Sequence, residues 1–346
     1  MPESSAPVTA AVTVPLAAPV RAPLRSTGRS AAILSVATEL PEGRLANAEL
    51  ASTLGITEDW ILSRTGIRER RRAGPEERLA DYATRAGARA LAQAGVQASE
   101  LDLVIVATMT PDELTPNTAP LVAHALGADR AGGFDVGAAC TAFMSGLAIG
   151  AGQIESARAE RVLLIGADFI TRIIDYEDKG TAPLFADAVG AVVLGRAQGE
   201  HGAIGPIVLG TDGSHGATII ASHSERKIRM NGPEVFRHAV DRMSEVTLEA
   251  VAKAELTLDD VDLFVYHQAN ARITRALGER LGLASERVVD CIETLGNASA
   301  ATLPVALAAA ERDGRLPAGA RVLMSAFGAG FTWGGGVIEW GIDGDG

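Results

Sequence analysis

Residues 134–146, FDVGAACTAFMSG, carry Cys140 at the point where a β-rich run gives way to an apolar, Ala-rich helix. The same order recurs further along the chain, where residues 286–297, ERVVDCIETLGN, end at a turn that opens the Ala-rich segment 298–314. Each helical segment is followed by another short apolar run, RVLLIGAD at 161–168 and RVLMSAFGAG at 321–330. Short apolar runs that alternate with helices predict an α/β fold.

Two further runs indicate that the fold is an internal duplication. LDLVIVATMT at 101–110 and VDLFVYHQAN at 261–270 have the same pattern, and each precedes the elements described above. Two similar α/β halves predict two sheets with helices packed on and between them. We expect the helices at 141–157 and 298–310 to lie in the middle, where their N-termini would bring Cys140 and Asn297 together.

The composition describes a globular chain with an acidic balance. The 346 residues are 47% hydrophobic and 21% charged, and the formal net charge is −12. This balance argues against nucleic-acid binding, because phosphate recognition uses a basic surface. No run reaches the roughly 18 apolar residues of a membrane span, and Cys140 and Cys291 form no metal-binding or disulfide pattern. We therefore expect a cytoplasmic protein with no membrane partner.

The domain organisation is expected to follow the duplication. Residues 1–28 are rich in Ala, Pro, Val and Ser, with no base before Arg21, which is a poor signal peptide. We interpret them as a disordered tail. The folded body is expected to divide into an N-terminal half at 29–200, which carries the cysteine, and a C-terminal half at 201–346.

Cys140, His267 and Asn297 are the candidate catalytic residues. The positive end of a helix dipole is expected to lower the pKa of the Cys140 thiol and to favour the nucleophilic thiolate. His267 follows an apolar strand, at the edge where α/β proteins bind ligands. Each residue also has a structural explanation, since a free cysteine is often a core residue and Asn297 can cap the following helix. Their matched positions in two similar halves favour catalysis, whereas Cys291 is interpreted as a core thiol.

Five motifs in order carry a family resemblance. They are WILSRTGIRERR at 60–71, AAC before a helix, YHQANARI at 266–273, LGNASAATLPVAL at 295–307 and FGAGFTWGG at 327–335. Together they resemble β-ketoacyl-acyl-carrier-protein synthase III over the chain from about residue 30 to the C-terminus. That family has the thiolase-like fold, which implies two duplicated α/β halves in an αβαβα layered arrangement.

The resemblance implies a Cys-His-Asn site for decarboxylative condensation. Cys140 would attack an acyl-CoA thioester, and His267 and Asn297, as neutral donors, would stabilise the enolate formed when malonyl-acyl-carrier protein loses CO2. The backbone N–H groups of Cys140 and Ala329 would bind the oxyanion. The other roles it implies are CoA binding by Trp60, Arg64, Arg172 and Gly232, carrier-protein docking by Arg272 and Arg275, and an acyl pocket formed by Phe185 and a lid residue, Thr115, from the partner subunit of a homodimer. It implies no metal and no cofactor besides the acyl-CoA substrate.

Arginines are concentrated between residues 64 and 78 of this acidic protein. Two interpretations are open for this basic cluster. It is either an ordinary solvated face or a surface for an anionic cofactor or an acidic carrier protein.

Several positions depart from the family's pattern. Ala142 is expected to cause only modest repacking, and Ala186 and Ala188, in place of glycines in FADAVGA at 185–191, are expected to reshape the acyl pocket. Pro233 stands where an asparagine commonly contacts the pantetheine arm, and it offers neither an amide side chain nor a backbone N–H. With Thr115 as a small lid, these changes favour a longer or branched starter and a specialised pathway.

Three other functions are alternatives to condensation. The alternative with the same fold is an acyltransferase that moves the acyl group from Cys140 to an alcohol, amine or carrier protein without condensation; the presence of both His267 and Asn297 favours condensation. A papain-like hydrolase has Cys, His and Asn in this order, but its local cysteine signature is missing. A catalytically silent partner subunit is disfavoured because such chains usually lose the cysteine.

Overall fold

The computed structural model describes residues 28–197 and 202–341. In this part of the chain the strands are β1 Ala31–Glu39, β2 Arg44–Ala46, β3 Glu69–Arg71, β4 Leu103–Ala107, β5 Gly132–Val136, β6 Arg161–Phe169, β7 Asp187–Arg196, β8 Ile204–Thr211, β9 Ile219–Ala221, β10 Ile228–Met230, β11 Leu263–Tyr266, β12 Arg321–Gly328 and β13 Thr332–Glu339. The α-helices are α1 Asn47–Leu54, α2 Glu58–Thr65, α3 Leu79–Ala94, α4 Thr118–Leu126, α5 Ala142–Glu155, α6 Gly232–Lys253, α7 Ala271–Leu281, α8 Ile292–Leu295 and α9 Thr302–Arg312. The expected tail, up to residue 27, and the expected boundary at 200/201 lie outside the described residues.

Two sheets share one topology. The first has the order β1-β7-β6-β4-β5, and the second has the order β11-β12-β13-β8. In the first sheet β4 is parallel to β5 and β6, whereas β6–β7 and β7–β1 are antiparallel. In the second sheet β11–β12 is parallel, and β12–β13 and β13–β8 are antiparallel. A single parallel bridge, Phe264 to Val288, takes the place of a fifth strand.

The layers follow from which face of each sheet the helices cover. Helices α5 and α9 lie between the sheets in one shared core, α3 and α4 cover the outer face of the first sheet, and α6 and α7 cover the second. Strand β6 contributes side chains to both the central and the outer core, because successive side chains of a strand point to opposite faces of the sheet. Val162 and Leu164 point into the central layer, and Leu163 and Ile165 point outwards. The expected αβαβα duplication is confirmed.

Helix α5 packs closely on the first sheet through glycines. A Cβ at Gly146 would lie 2.5 Å from Leu164 Cδ1, and one at Gly150 would lie 2.7 Å from Leu194 Cδ1. Because glycine has no side chain, the helix lies closer to the sheet than alanine would permit. With alanine at either position, the leucine side chain would have to move. None of the described helices is long and apolar enough to cross a membrane.

Candidate active site

Cys140 lies on a tight turn between β5 and α5. The preceding residue, Ala139, has φ of +46°, and residues 139–141 form a single 3-10 turn that runs into the helix. The second half repeats this geometry, since Ser299 has φ of +51° at the turn 299–301 before α9. The two turns contact each other between the sheets. This contact places Cys140 and Asn297 on the lining of one cavity.

The Cys140 thiol is protonated at neutral pH. Burial raises its pKa from the ordinary value of 9.0 to about 11, while a hydrogen bond from Ser299 opposes the increase and the Asp168 carboxylate adds to it. A helix dipole contributes at most about 2 kcal/mol, which is less than the roughly 2.7 kcal/mol that corresponds to this increase. The expectation of a lowered thiol pKa is therefore wrong, and the thiol needs a base when it attacks.

His267 is the candidate for that base because its proton lies on the other ring nitrogen. It follows β11 directly and is only 2% exposed. Its Nδ1 lies 2.6 Å from Thr302 Oγ1, and the Thr302 hydroxyl donates to Ser299 O at 2.9 Å. Both bonds are satisfied together only when Nδ1–H donates to Thr302, which leaves Nε2 with a lone pair. Burial lowers the pKa of His267 to about 3, so the ring is neutral.

This tautomer changes the role expected for His267. A neutral ring with its proton on Nδ1 cannot donate a hydrogen bond from Nε2. It becomes a donor at Nε2 only after that nitrogen has taken up a proton.

Asn297 presents a hydrogen-bond donor to the cavity, whereas His267 presents a lone pair. Its Oδ1 accepts the backbone N–H of Ser299 at 2.9 Å, and its own backbone pairs with the segment around Phe185. Because the carbonyl oxygen is already bound, the Nδ2 group is the part of the amide that can donate into the cavity. Asn297 is 4% exposed, so this donor is largely shielded from water.

Asp168 holds together the chain segments that surround the site. Its structural role was not predicted from the sequence. Its Oδ1 accepts from Met109 N at 2.9 Å, and from the hydroxyls of Thr108 and Thr110, while Oδ2 accepts from Ala300 N at 3.1 Å. Burial raises its pKa to about 6 in spite of these hydrogen bonds. The carboxylate ties the ends of β4 and β6 to the turn that precedes α9. An acidic residue at the end of the apolar run RVLLIGAD was the available signal.

The expected oxyanion donors surround Gly328 at the end of β12. A Cβ at Gly328 would lie 2.9 Å from the backbone nitrogen of Cys140, so this strand end passes directly against the Cys140 backbone. Ala329 follows in the turn before β13, and both Ala329 and Cys140 line the cavity. Glycine is required at position 328 because any side chain would displace the Cys140 N–H.

One cavity of about 620 Å³ collects most of the predicted residues. Besides the three candidate catalytic residues and Ala329, its lining includes Trp60, Arg64, Phe185, Gly232 and Arg272. It also includes two cations that no sequence motif indicated, Lys179 and Arg237. Among the described residues, no Asp or Glu side chain lines it. The cavity is therefore suited to an anionic ligand.

Arg172 does not reach this cavity. Its guanidinium pairs with Asp112 at 2.8 Å, donates to Glu77 O at 2.5 Å and lies over the Phe169 ring. Its ring-facing side and its donors are engaged by these groups, and the CoA-binding role expected for it stays a prediction. Lys179 is a cation on the lining that Trp60 shares, and Arg64 stacks on the Trp60 ring at 4.4 Å.

Arg275 and Thr115 also lie outside the cavity lining. Arg275 is exposed on α7, one turn beyond Arg272. Thr115 is exposed beside Leu114, whose side chain is 85% exposed. Neither residue contacts the site of its own chain, so their expected roles concern a partner molecule.

The basic cluster at 64–78 is largely neutralised within the fold. Arg68 pairs with Glu293, Arg72 with Glu49, and Arg78 with Glu113. Arg70 is fully buried and donates to Asn47 Oδ1 and to backbone carbonyls, and burial lowers its pKa to about 10. Of this cluster, Arg64 lines the cavity.

The family departures have separate structural outcomes. Ala186 and Ala188 are buried in a small apolar cluster with Ala298, Ala301 and Val305. They pack on α9 and do not line the cavity, so the expected reshaping of the acyl pocket is not seen. Ala142 is buried in the central core, and Pro233 is on the cavity lining.

Fold and site together define a thiolase-like enzyme in which Cys140, His267 and Asn297 line one cavity where the two duplicated halves meet. Two family profiles match the chain, 3-oxoacyl-[acyl-carrier-protein] synthase III at residues 134–213 and its C-terminal part at residues 251–340. The chain belongs to the 3-oxoacyl-[acyl-carrier-protein] synthase III family, and the resemblance read from the five motifs is confirmed.

Individual relatives agree with this assignment. A β-ketoacyl-[acyl-carrier-protein] synthase III from Rhizorhabdus wittichii is 40% identical over 318 residues, which cover 90% of this chain and all of the relative. A Streptomyces coelicolor relative, β-ketoacyl-[acyl-carrier-protein] synthase III 2, is 42% identical over 315 residues, covering 90% and 95%.

Solved structures are similar along the same length. The 3-oxoacyl-[acyl-carrier-protein] synthase III of Aquifex aeolicus superposes with a TM-score of 0.87 at 39% identity and covers 90% of this chain and all of its own. The priming β-ketosynthase of the R1128 polyketide pathway has a TM-score of 0.87 at 37% identity, covering 92% and 98%.

Proposed function

We propose that this acyltransferase condenses an acyl-CoA starter with malonyl-acyl-carrier protein through an acyl-Cys140 intermediate. The observation that carries the proposal is the cavity itself. It joins Cys140, His267 and Asn297 to a lining with four cations and, among the described residues, no acid. Such a lining favours a thioester whose carrier arm ends in phosphates, because Arg and Lys pair with phosphate oxygens.

In the acylation step, His267 Nε2 takes the proton of the Cys140 thiol as the sulfur attacks the thioester carbonyl. The backbone N–H groups at Cys140 and Ala329 stabilise the oxyanion. The bond between the acyl carbon and the CoA sulfur then breaks, and the leaving CoA thiolate takes the proton from Nε2. Acyl-Cys140 and CoA thiol are the products, and His267 returns to its neutral state.

In the condensation step, the malonyl thioester loses CO2 and leaves an enolate. Asn297 Nδ2–H donates to the enolate oxygen. The enolate carbon attacks the acyl-Cys140 carbonyl, and the carbon–sulfur bond breaks. The departing Cys140 thiolate takes up a proton from solvent, which His267 Nε2 relays to the sulfur. The one proton that the overall reaction consumes therefore enters through His267.

A homodimer is part of the proposal. Strand β5 forms one edge of the first sheet, and its Phe134 side chain is 37% exposed. An exposed apolar strand edge is suited to pairing with a second copy. The neighbouring loop exposes Leu114 and Thr115, which supports a lid that one subunit contributes to the other's cavity.

The starter acyl group and the location are proposed on narrower grounds. A small lid residue, Thr115, leaves room for a starter longer or more branched than acetyl. Steady-state rates over a panel of acyl-CoAs test this, and a clear preference for acetyl-CoA would contradict it.

A cytoplasmic location follows from the absence of a disulfide or metal-spacing pattern around Cys140 and Cys291.

Release of CO2 tests the condensation. Purified acyl-enzyme is mixed with malonyl-carrier protein that carries labelled carbon in its free carboxylate, and CO2 and acyl-Cys140 are measured together. The proposal predicts one CO2 for each acyl group lost, and no β-ketoacyl carrier with Cys140→Ala, which forms no acyl-enzyme. Loss of the acyl group to the carrier without CO2 would instead establish simple acyl transfer.

A further inference from the structure

A second group of chemically active side chains lies outside the catalytic trio. His215, Glu234 and His238 each offer one ligand atom, and these three atoms lie within 4.8 Å of one another. His215 Nδ1 lies 3.3 Å from Glu234 Oε1, which is the separation of two ligands on one small metal ion. The three residues come from two elements, the 213–215 turn after β8 and the first two turns of α6.

Outer groups hold two of these side chains in place. Asn231 Nδ2 donates to Glu234 Oε2 at 3.0 Å, so Oε1 is the oxygen turned towards His215. His215 Nε2 faces the Asp212 carboxylate at 3.9 Å while its Nδ1 faces Glu234. A carboxylate behind the outer nitrogen of a metal-binding histidine is the usual supporting arrangement. The His215 ring is also stacked on Phe331, with centroids 5.0 Å apart.

The third side chain has no competing partner. Within residues 28–197 and 202–341, neither ring nitrogen of His238 has a hydrogen bond or an ion pair, although the ring is half-buried against His215 and Phe331. A half-buried imidazole without a partner is suited to a ligand that supplies one.

We infer that His215, Glu234 and His238 bind a divalent transition-metal ion, with Zn²⁺ as the reference ion. Two imidazoles and one carboxylate match the ligand preference of Zn²⁺, Co²⁺ and Ni²⁺ and differ from the all-oxygen sets of Mg²⁺ and Ca²⁺. This site is separate from the condensation chemistry and requires no step of it. The metal joins the 213–215 turn to α6, the helix that carries Pro233 and Phe236 on the cavity lining.

Metal binding is measured on the full chain with Zn²⁺ alone and with Co²⁺ alone. The Cys140→Ser variant is the starting protein. It removes the thiol of the cavity, which is a zinc-binding group in its own right and would give a second binding site. Equilibrium dialysis gives stoichiometry, visible absorption of Co²⁺ gives coordination, and X-ray absorption at zinc gives ligand type. The expected result is one ion per chain with nitrogen and oxygen ligands only. At an ion concentration 100 times Kd, Tm is expected to rise by roughly 5 °C.

Conservative variants locate the site. Glu234→Gln keeps an acceptor for Asn231, and His238→Asn removes an imidazole without a hydrogen-bond partner; each is expected to raise Kd at least about tenfold. Asp212→Asn keeps the acceptor for Ser214 and is expected to weaken binding by about 10–100-fold. His124→Asn, at an exposed histidine on α4, is the matched control and retains binding. Circular dichroism of the metal-free variants separates loss of the site from loss of the fold.

The assignment would be overturned if the Cys140→Ser starting protein bound no metal. It would also be overturned if Glu234→Gln and His238→Asn bound the metal with the same Kd as the starting protein.

Discussion

Replacing Thr302 by valine removes the group that holds the His267 tautomer. Thr302 is 4% exposed, and its hydroxyl both accepts from His267 Nδ1 at 2.6 Å and donates to Ser299 O at 2.9 Å. Valine has nearly the same shape, so packing around α9 is kept. The Nδ1–H group is then left without an acceptor in a buried position. The ring is expected to favour the other tautomer, in which Nε2 carries the proton and cannot accept one from Cys140.

The expected magnitude follows from the unsatisfied donor. A buried polar group without a partner costs about 1–3 kcal/mol, and each 1.4 kcal/mol is about tenfold in population. The Nδ1–H tautomer is therefore expected to fall by about 10–100-fold, and the rate of Cys140 acylation should fall by the same factor. Quenched-flow mixing with acyl-CoA alone, read by the intact mass of the enzyme, measures that rate before any condensation.

Thr302→Ser is the matched control because it keeps the hydroxyl and removes one methyl group. It is expected to acylate within about threefold of the wild-type rate, although it leaves a small cavity. Wild-type acylation in Thr302→Val would refute the assigned tautomer. An equal decrease in both variants would show that packing, and not the hydroxyl, controls the rate.

The remaining predictions concern the thiol, the oxyanion site and the cation at the cavity. A Cys140 pKa of about 11 predicts that alkylation by iodoacetamide accelerates with pH up to about pH 11, because only the thiolate reacts; a plateau near neutral pH would contradict this. Gly328→Ala places a Cβ 2.9 Å from the Cys140 nitrogen and should reduce the acylation rate about 100-fold, whereas Gly213→Ala, with no atom within 4 Å, should leave it unchanged. Lys179→Ala should raise KM for acyl-CoA by about 3–10-fold with little change in kcat, while Arg172→Ala should change KM by less than about twofold and lower Tm. A larger increase in KM with Arg172→Ala than with Lys179→Ala would instead support CoA binding by Arg172.

The duplicated architecture could be predicted because it is written in local patterns. Apolar runs and Ala-rich helices recur in the same order in both halves, and the sheets that they form have matching strand orders. The duplication also explains why Cys140 and Asn297 share one cavity, since each lies at or just before the turn that opens a central helix. Pattern and symmetry were sufficient for this part of the site.

Electrostatic details could not be predicted, because they depend on burial and on partners distant in sequence. A helix N-terminus suggested a lowered thiol pKa for Cys140, but burial has the larger effect. The tautomer of His267 depends on Thr302, 35 residues away. The family resemblance implied CoA binding by Arg172, whose guanidinium pairs with Asp112, whereas the resemblance gave no signal for Lys179 on the cavity lining.

The most direct measurement is the intact mass of the carrier protein after one turnover. Acyl-enzyme made with the wild type and with Asn297→Ala is mixed with malonyl-carrier protein. We expect a β-ketoacyl carrier from the wild type, and acyl-Cys140 with an unextended carrier from Asn297→Ala, because the variant lacks the amide donor to the enolate. An extended carrier at wild-type yield from Asn297→Ala, or an acylated carrier that has gained no carbon from malonate with the wild type, would contradict it.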